Sequence, residues 1–232
     1  MSESGFSRLW NSLKPPPSPG TRAPARRRLK PKQKRLLTAA GIFLLLAGAG
    51  FGAYSWVASA PQRAEAEYQA GMKFMQPGHY QEAIPKFTRA VEIHPLASAY
   101  VERGFAHRYL GQNDQAAADL EKAIDLDSGS VRAYSGLGSI YRDRGDTRRA
   151  VEQYSKSIQI SGNVDALFER GQLYESLGEH QKAVDDFTAA IERIRDAPYI
   201  YRARAMAKSN MGDADGAEAD RNTARSMESP HR

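Results

Sequence analysis

The chain has 232 residues, 41% of them apolar and none of them cysteine, so it can bury a core but holds no disulfide, thiolate zinc site, cysteine nucleophile or lipid-modified cysteine. Its net charge of +6 is unevenly placed: residues 1–35 hold ten Lys/Arg and one acid, leaving 23 of the 33 basic and 26 of the 27 acidic side chains for the rest. The bulk of the chain therefore offers no basic field to phosphates, and no nucleic acid is expected as a partner.

Residues 1–35 read as a basic, Pro-rich tail. Six of the twelve prolines fall here, among them Pro15, Pro16, Pro17 and Pro19, beside the run Arg26, Arg27, Arg28. Such a composition cannot bury enough apolar surface to fold alone. One stretch departs from it: Phe6, Leu9, Trp10 and Leu13 recur at helical spacing with Arg8 and Lys14 beside them. Two readings stand open, a two-turn helix lying on a membrane surface and a disordered tail with scattered apolar residues.

Residues 36–60 contain no charge and include Ile42, Phe43, Leu44, Leu45 and Leu46, with Tyr54 and Trp56 near the far end. As a helix they would run about 37 Å, more than the roughly 30 Å hydrocarbon core of a bilayer. The basic flank and the terminal aromatics predict a transmembrane helix rather than a buried soluble one. Ala58-Ser59-Ala60 has the small-x-small form of a signal-peptide cleavage site. The long basic region, the long apolar run and Pro61 after the scissile bond favour an uncut anchor. A twin-arginine export signal at Arg26 to Lys30 is the less ordinary alternative. The positive flank predicts a cytoplasmic N-terminus, a single pass through the plasma (inner) membrane, and an extracytoplasmic remainder, periplasmic in a cell with two membranes. The absence of cysteine suits such an oxidising compartment. Gly48 and Gly52 form a GxxxG that would let two spans approach as a homodimer, although glycine is common in membrane helices in any case.

Beyond Pro61 an internal period appears. Gly78, Gly111, Gly145, Gly178 and Gly212 follow one another at 33 or 34 residues, each in the place of a turn that ends a first helix. Ala83, Ala116, Ala150, Ala183 and Ala217 lie five residues beyond them, and Gly71, Gly104, Gly138, Gly171 and Ala205 seven before. These positions resemble the tetratricopeptide repeat over residues 64 to about 228. Phe87, Leu120, Tyr154 and Phe187 match the family's aromatic; Ala90, Ala123, Ser157, Ala190 and Ala224 match its next small residue; Pro95 fits the closing proline. The chain departs from the pattern at the first-helix tryptophan, where it has Glu67, Tyr100, Tyr134, Leu167 and Tyr201, and in lacking the later closing prolines. Arg221 replaces the aromatic in the last unit, as suits an end that meets solvent.

The resemblance implies an all-α fold: a right-handed superhelical solenoid of about five helix pairs, in units of about 64–96, 97–130, 131–163, 164–197 and 198–228, with residues 229–232 frayed. It also implies a concave groove, lined by the first helices, that holds an extended or helical segment of a partner. Carried over by register, the groove residues are Tyr68, Met72, Met75, Val101, Phe105, Arg108, Tyr109, Arg132, Ser139, Arg142, Phe168, Gln172, Glu175, Tyr199, Arg202 and Met206. Aromatics, methionines and arginines are what interface anchors tend to be, although several of these would also pack on neighbouring helices. Chaperone-binding members of the family resemble one another in a lysine and asparagine set that clamps a C-terminal carboxylate; the matching first-unit positions here are Tyr68 and Met72, so a clamp is not expected. Arg108, Arg132 and Arg142 could still attract an acidic segment, although exposed arginines on repeat surfaces are usually solvated charge.

Neither a Walker loop, a Gly-x-Ser-x-Gly elbow nor a His-Glu-x-x-His occurs, and His79, His94, His107, His180 and His231 are dispersed over the chain. Asp125 with Asp127, and Asp185 with Asp186, read as helix-end and exposed-face charges. No catalytic residue, cofactor or metal is expected. The function expected is that of a membrane-anchored scaffold or assembly factor for an unidentified protein partner, the alternative being a periplasmic chaperone-like holder of exported polypeptides.

Overall fold

The computed structural model describes residues 56–57 and 59–229. The expected tail, almost all of the expected span and the last three residues lie outside these, as do Gly48 and Gly52. Among the described residues no helix is long and apolar enough to cross a membrane.

The described chain is ten helices in five antiparallel pairs: α1 (Ala60–Met72) with α2 (Tyr80–Ile93), α3 (Ala97–Tyr109) with α4 (Asn113–Leu126), α5 (Val131–Asp143) with α6 (Thr147–Ser161), α7 (Val164–Ser176) with α8 (His180–Arg193), and α9 (Pro198–Asn210) with α10 (Ala214–Glu228). Each pair is joined by a turn at one of the recurring glycines, whose φ lies between 74° and 89°. Side chains rarely adopt that left-handed conformation, and the residue ends one helix and redirects the chain into the next. Elsewhere polar side chains start the helices: Asp146, Asn163 and Asp213 accept hydrogen bonds from the amides of Arg149, Ala166 and Gly216.

Within a pair the small residue on the first helix faces the large one on the second. A Cβ at Gly71 would lie 2.6 Å from a ring carbon of Phe87, and one at Gly171 equally close to Phe187. Phe87, Leu120, Tyr154 and Phe187 are buried, each stabilising its unit by roughly 1.5–3 kcal/mol relative to exposure. Ala83, Ala116, Ala150, Ala183 and Ala217 are buried completely, so helices meet there backbone to backbone.

A set of ion pairs recurs with the repeat. Arg103, Arg170 and Arg204 each grip, through two nitrogens at 2.6–2.9 Å, the carboxylate sixteen residues on: Asp119, Asp186 and Asp220. The third nitrogen of each arginine donates to a hydroxyl of the preceding unit, Thr88, Ser155 and Thr188 at 2.8–3.1 Å. One guanidinium thus joins three helices and two units. Asp186 is therefore no exposed-face charge: it is buried, whereas its neighbour Asp185 is exposed and takes a bond from Gln181.

The third unit lacks this pair, carrying Leu137 and Gln153 at the equivalent places. It substitutes hydroxyl contacts. Ser157, completely buried where the other units have alanine, bonds Ser135 at 2.8 Å; Asn163 donates to the same Ser135, and Ser139 meets the Tyr154 hydroxyl at 3.1 Å.

The first pair is shifted against the register. Its first helix begins at Ala60 with Pro61 in the first turn and ends at Met72, so Met75 sits in the turn that follows rather than on a helix face. Pro77 fits the early stop, because it has no N–H to bond the Lys73 carbonyl four residues back and its ring would clash there. At the other end Arg221 is half-buried and donates to Glu218 at 2.9 Å, a polar finish to the stack.

Candidate protein-binding face

The first helices α3, α5 and α7 lie side by side, since one cavity of about 260 Å³ is lined by all three. It is lined by Phe105 and Tyr109 from α3, Arg132, Ser135, Gly136 and Ser139 from α5, and Asp165, Ala166 and Glu169 from α7, together with Tyr154 and Asn163. Gly136 keeps the space open: a Cβ there would press on Leu120 at 2.8 Å and on Phe105 at 3.3 Å. A second cavity, about 270 Å³, is bounded by Gln172, Glu175, Ser176, Phe187, Ala203 and Met206. A third, about 390 Å³, joins Tyr68, Val101, Glu102, Asp127 and Arg132.

The sequence-derived set is thus partly brought together. Phe105, Tyr109, Arg132 and Ser139 share the first cavity; Gln172, Glu175 and Met206 share the second; Tyr68, Val101 and Arg132 meet at the third. Phe168 and Tyr199 touch edge to face at 5.0 Å, and Met72, Tyr109, Tyr199 and Met206 are exposed. Val101 is 4% exposed and belongs to the core.

The arginines do not stand as free anion sites. Arg132 pairs with Glu102 at 2.8 Å and lies over the Phe105 ring; Arg108 pairs with Asp143 at 3.1 Å; Arg142 bonds Glu169 and Asp143; Arg202 bonds Glu228. Burial works against charge on Arg142, yet the hydrogen bonds it donates to Glu169 and Asp143 outweigh it and hold the guanidinium above its ordinary range. Burial also pushes the Glu102 carboxyl up, only partly offset by Arg132, and raises the Tyr68 phenol, with Glu102 adding to the effect.

Ser135, Tyr154, Asn163, Asp165 and Glu169 were not among the groove residues read from register. Tyr154 and Asn163 come from outside the first helices. Ser135, by contrast, lies three residues beyond Arg132 and could have been found by following the α5 face. Among the described residues no cluster of His, Asp or Glu is arranged to hold a metal.

Comparison with known proteins agrees with the geometry. Two tetratricopeptide-repeat family models match, one over residues 95–163 and the other over 164–196. The chain is a tetratricopeptide-repeat protein. Small glutamine-rich tetratricopeptide repeat-containing protein 2 of Saccharomyces cerevisiae is 37% identical over 102 residues, 44% of this chain and 30% of its own length. The heat-shock protein cognate co-chaperone sgt12 of Aspergillus fumigatus is 36% identical over 85 residues, covering 36% of this chain and 25% of its own length. The chain thus matches less than a third of either of these curated relatives. Among solved structures, MamA superposes with a TM-score of 0.63 at 24% identity, over 68% of this chain and 94% of that one. Pseudomonas aeruginosa PilF does so with 0.66 at 16%, over 75% and 80%. At those identities the structural likeness supports the tetratricopeptide solenoid fold and nothing more.

Proposed function

We propose that this tetratricopeptide-repeat protein is a membrane-anchored scaffold or assembly factor that holds a segment of a partner protein against its first-helix face. The observation that carries this is the cavity shared by α3, α5 and α7, where Phe105 and Tyr109 lie beside Arg132, Ser135, Ser139, Asp165 and Glu169. Aromatic rings beside converging polar and charged groups suit an amphipathic side chain of a docked segment. The uncharged run 36–60 beside ten basic residues is the basis for the anchor and for an extracytoplasmic solenoid.

Pull-down of cellular proteins with wild-type chain, and with a Phe105→Ala, Arg108→Ala, Tyr109→Ala variant, tests the groove. A specific partner retained by wild type and lost by the variant is the expected result; equal retention by both removes the groove. Alkaline carbonate extraction tests the anchor, which is abandoned if the full chain washes off membranes. Proteolysis of intact cells or spheroplasts tests the side, since a solenoid protected from outside would be cytoplasmic.

A second reading rests on the exposure of Met72, Tyr109, Tyr199 and Met206. Adaptable methionines suit a holder of many unfolded segments. Such a protein would suppress aggregation of unrelated clients, which a dedicated scaffold would not.

A further inference from the structure

The chemistry of the bound segment follows from where the charges on the face are already spent. Arg108, Arg132, Arg142 and Arg202, the cations of the groove, each hold a carboxylate of this chain. The carboxylates are not all matched in return. Asp165 lines the first cavity, is exposed, and its carboxylate makes neither an ion pair nor a hydrogen bond among the described residues. Glu175 lines the second cavity with a side chain only 9% exposed, and its partners are His180 at 2.9 Å and the amide of Asn210, with no arginine or lysine. An exposed carboxylate alone would mean little. One that is nine-tenths buried at a cavity wall, with a histidine and an amide for company, leaves negative potential facing outward.

The wider field has the same sign. Residues 97–130 carry six acids against three Lys/Arg, and residues 164–197 eight against four. The intervening residues 131–163 carry six Lys/Arg against three acids, but Arg132, Arg142 and Arg144 are committed to Glu102, Glu169 and Asp114 of the flanking units. Arg149 and Lys156 are committed to Asp146 and Glu152 within their own, which leaves Arg148, exposed on α6, as the one without an ion pair among the described residues.

We infer that the partner segment is basic and amphipathic, placing lysine or arginine side chains at Asp165 and Glu175 with apolar residues against Phe105, Tyr109 and Met206. This names the partner class for the face proposed above and rests on that proposal. The two carboxylates stand ten residues apart on α7, about 15 Å along the helix. Roughly four to five residues of extended chain cover that distance. A long basic side chain also fits the cavities chemically: its stem lies on ring and methionine surface while its head reaches a carboxylate. An acidic segment would meet Asp165 and Glu175, and each groove arginine it could reach already holds a carboxylate of this chain.

The test is selection from a random dodecapeptide library displayed on phage against the full chain held in a mild detergent. Three forms of the chain are compared: wild type, the Asp165→Asn, Glu175→Gln double variant, and the Phe105→Ala, Arg108→Ala, Tyr109→Ala variant. Helical circular dichroism checks that each is folded. The expected result is a wild-type motif rich in Lys/Arg near aromatic or aliphatic residues, whose peptides bind the double variant about fivefold more weakly. An acidic or uncharged motif overturns the inference and leaves the face intact, as does a basic motif that binds the double variant equally well. Failure of wild type to enrich any motif beyond those of the triple-alanine variant overturns the face itself, and the inference with it.

Discussion

A methyl group added to Gly171 would sit 2.6 Å from the ring of Phe187, and no real Cβ contact is that short. Alanine in place of glycine gains about 0.5–1 kcal/mol of helix propensity, but overpacking a full core costs about 1–3 kcal/mol. Gly171→Ala is therefore expected to lower stability on balance, by about 1 kcal/mol, as a downward shift of the urea midpoint with an unchanged slope. The neighbouring acids Asp185 and Asp186 give a sharper contrast. Asp186 is 6% exposed and grips Arg170, so Asp186→Ala leaves a half-buried guanidinium unpaired, at a cost of about 3–5 kcal/mol. Asp185→Ala removes an exposed bond to Gln181 and is expected to stay within about 0.5 kcal/mol. Equal losses in chemical denaturation would refute the assignment. In the sequence these two acids look alike. What distinguishes them is the recurrence of Arg and Asp sixteen apart at 103 and 119, 170 and 186, 204 and 220, a signal visible only once the helix pairs are laid over one another.

At the scale of the element, turn glycines and small residues were enough to locate the helix pairs, because each has one steric role and recurs. The offset of α1 was less legible: the period places a helix through Met75, but Pro77 cannot bond the carbonyl of Lys73, and the helix ends at Met72. The candidate face was legible where a side chain lies on a first helix and illegible where a second helix or a loop supplies it, as with Tyr154 and Asn163. The arginine pairings were also hidden, since Glu102 and Arg132 are thirty residues apart and meet only when units stack. These pairings make stability depend on pH with two opposite signs. Asp143 and Asp220 are buried enough to resist ionisation, yet Arg142 and Arg108, and Arg204 and Lys208, hold them below their usual 3.8. A depressed carboxylate contributes stability that is present above 3.8 and disappears as pH falls through its folded value. Glu102 is raised by burial above its usual 4.5, so it binds its proton more tightly when folded and stability falls as pH rises from 4.5 through the folded value. Urea midpoints measured across acid pH should show Asp220→Asn flattening the loss at the acid end. Glu102→Gln should remove the decline on its other side. A wild-type profile that neither substitution alters would mean that other carboxylates dominate.

A solenoid has no single core, because each pair covers its apolar side with the next, and so the repeat region was legible as a period before any contact was known. Its consequence is that removing a unit should weaken the remainder without abolishing it. Ile200 and Ala207 of α9 are completely buried in the same cluster as Phe187 and Ile191 of the preceding pair. Arg204 also reaches back to Thr188. A chain ending at 197 would therefore expose the apolar surface that Ile200 and Ala207 cover, whereas residues 198–228 carry Arg221, bonded to Glu218, where the other units have an aromatic or leucine. Because the urea slope follows the surface exposed on unfolding, loss of one pair in five should reduce it by about a fifth, with a lower midpoint and retained helical signal per residue. Complete loss of helicity in the shortened chain would show that the stack folds as one indivisible unit, and nearest-neighbour packing would then be the wrong description of what holds it together.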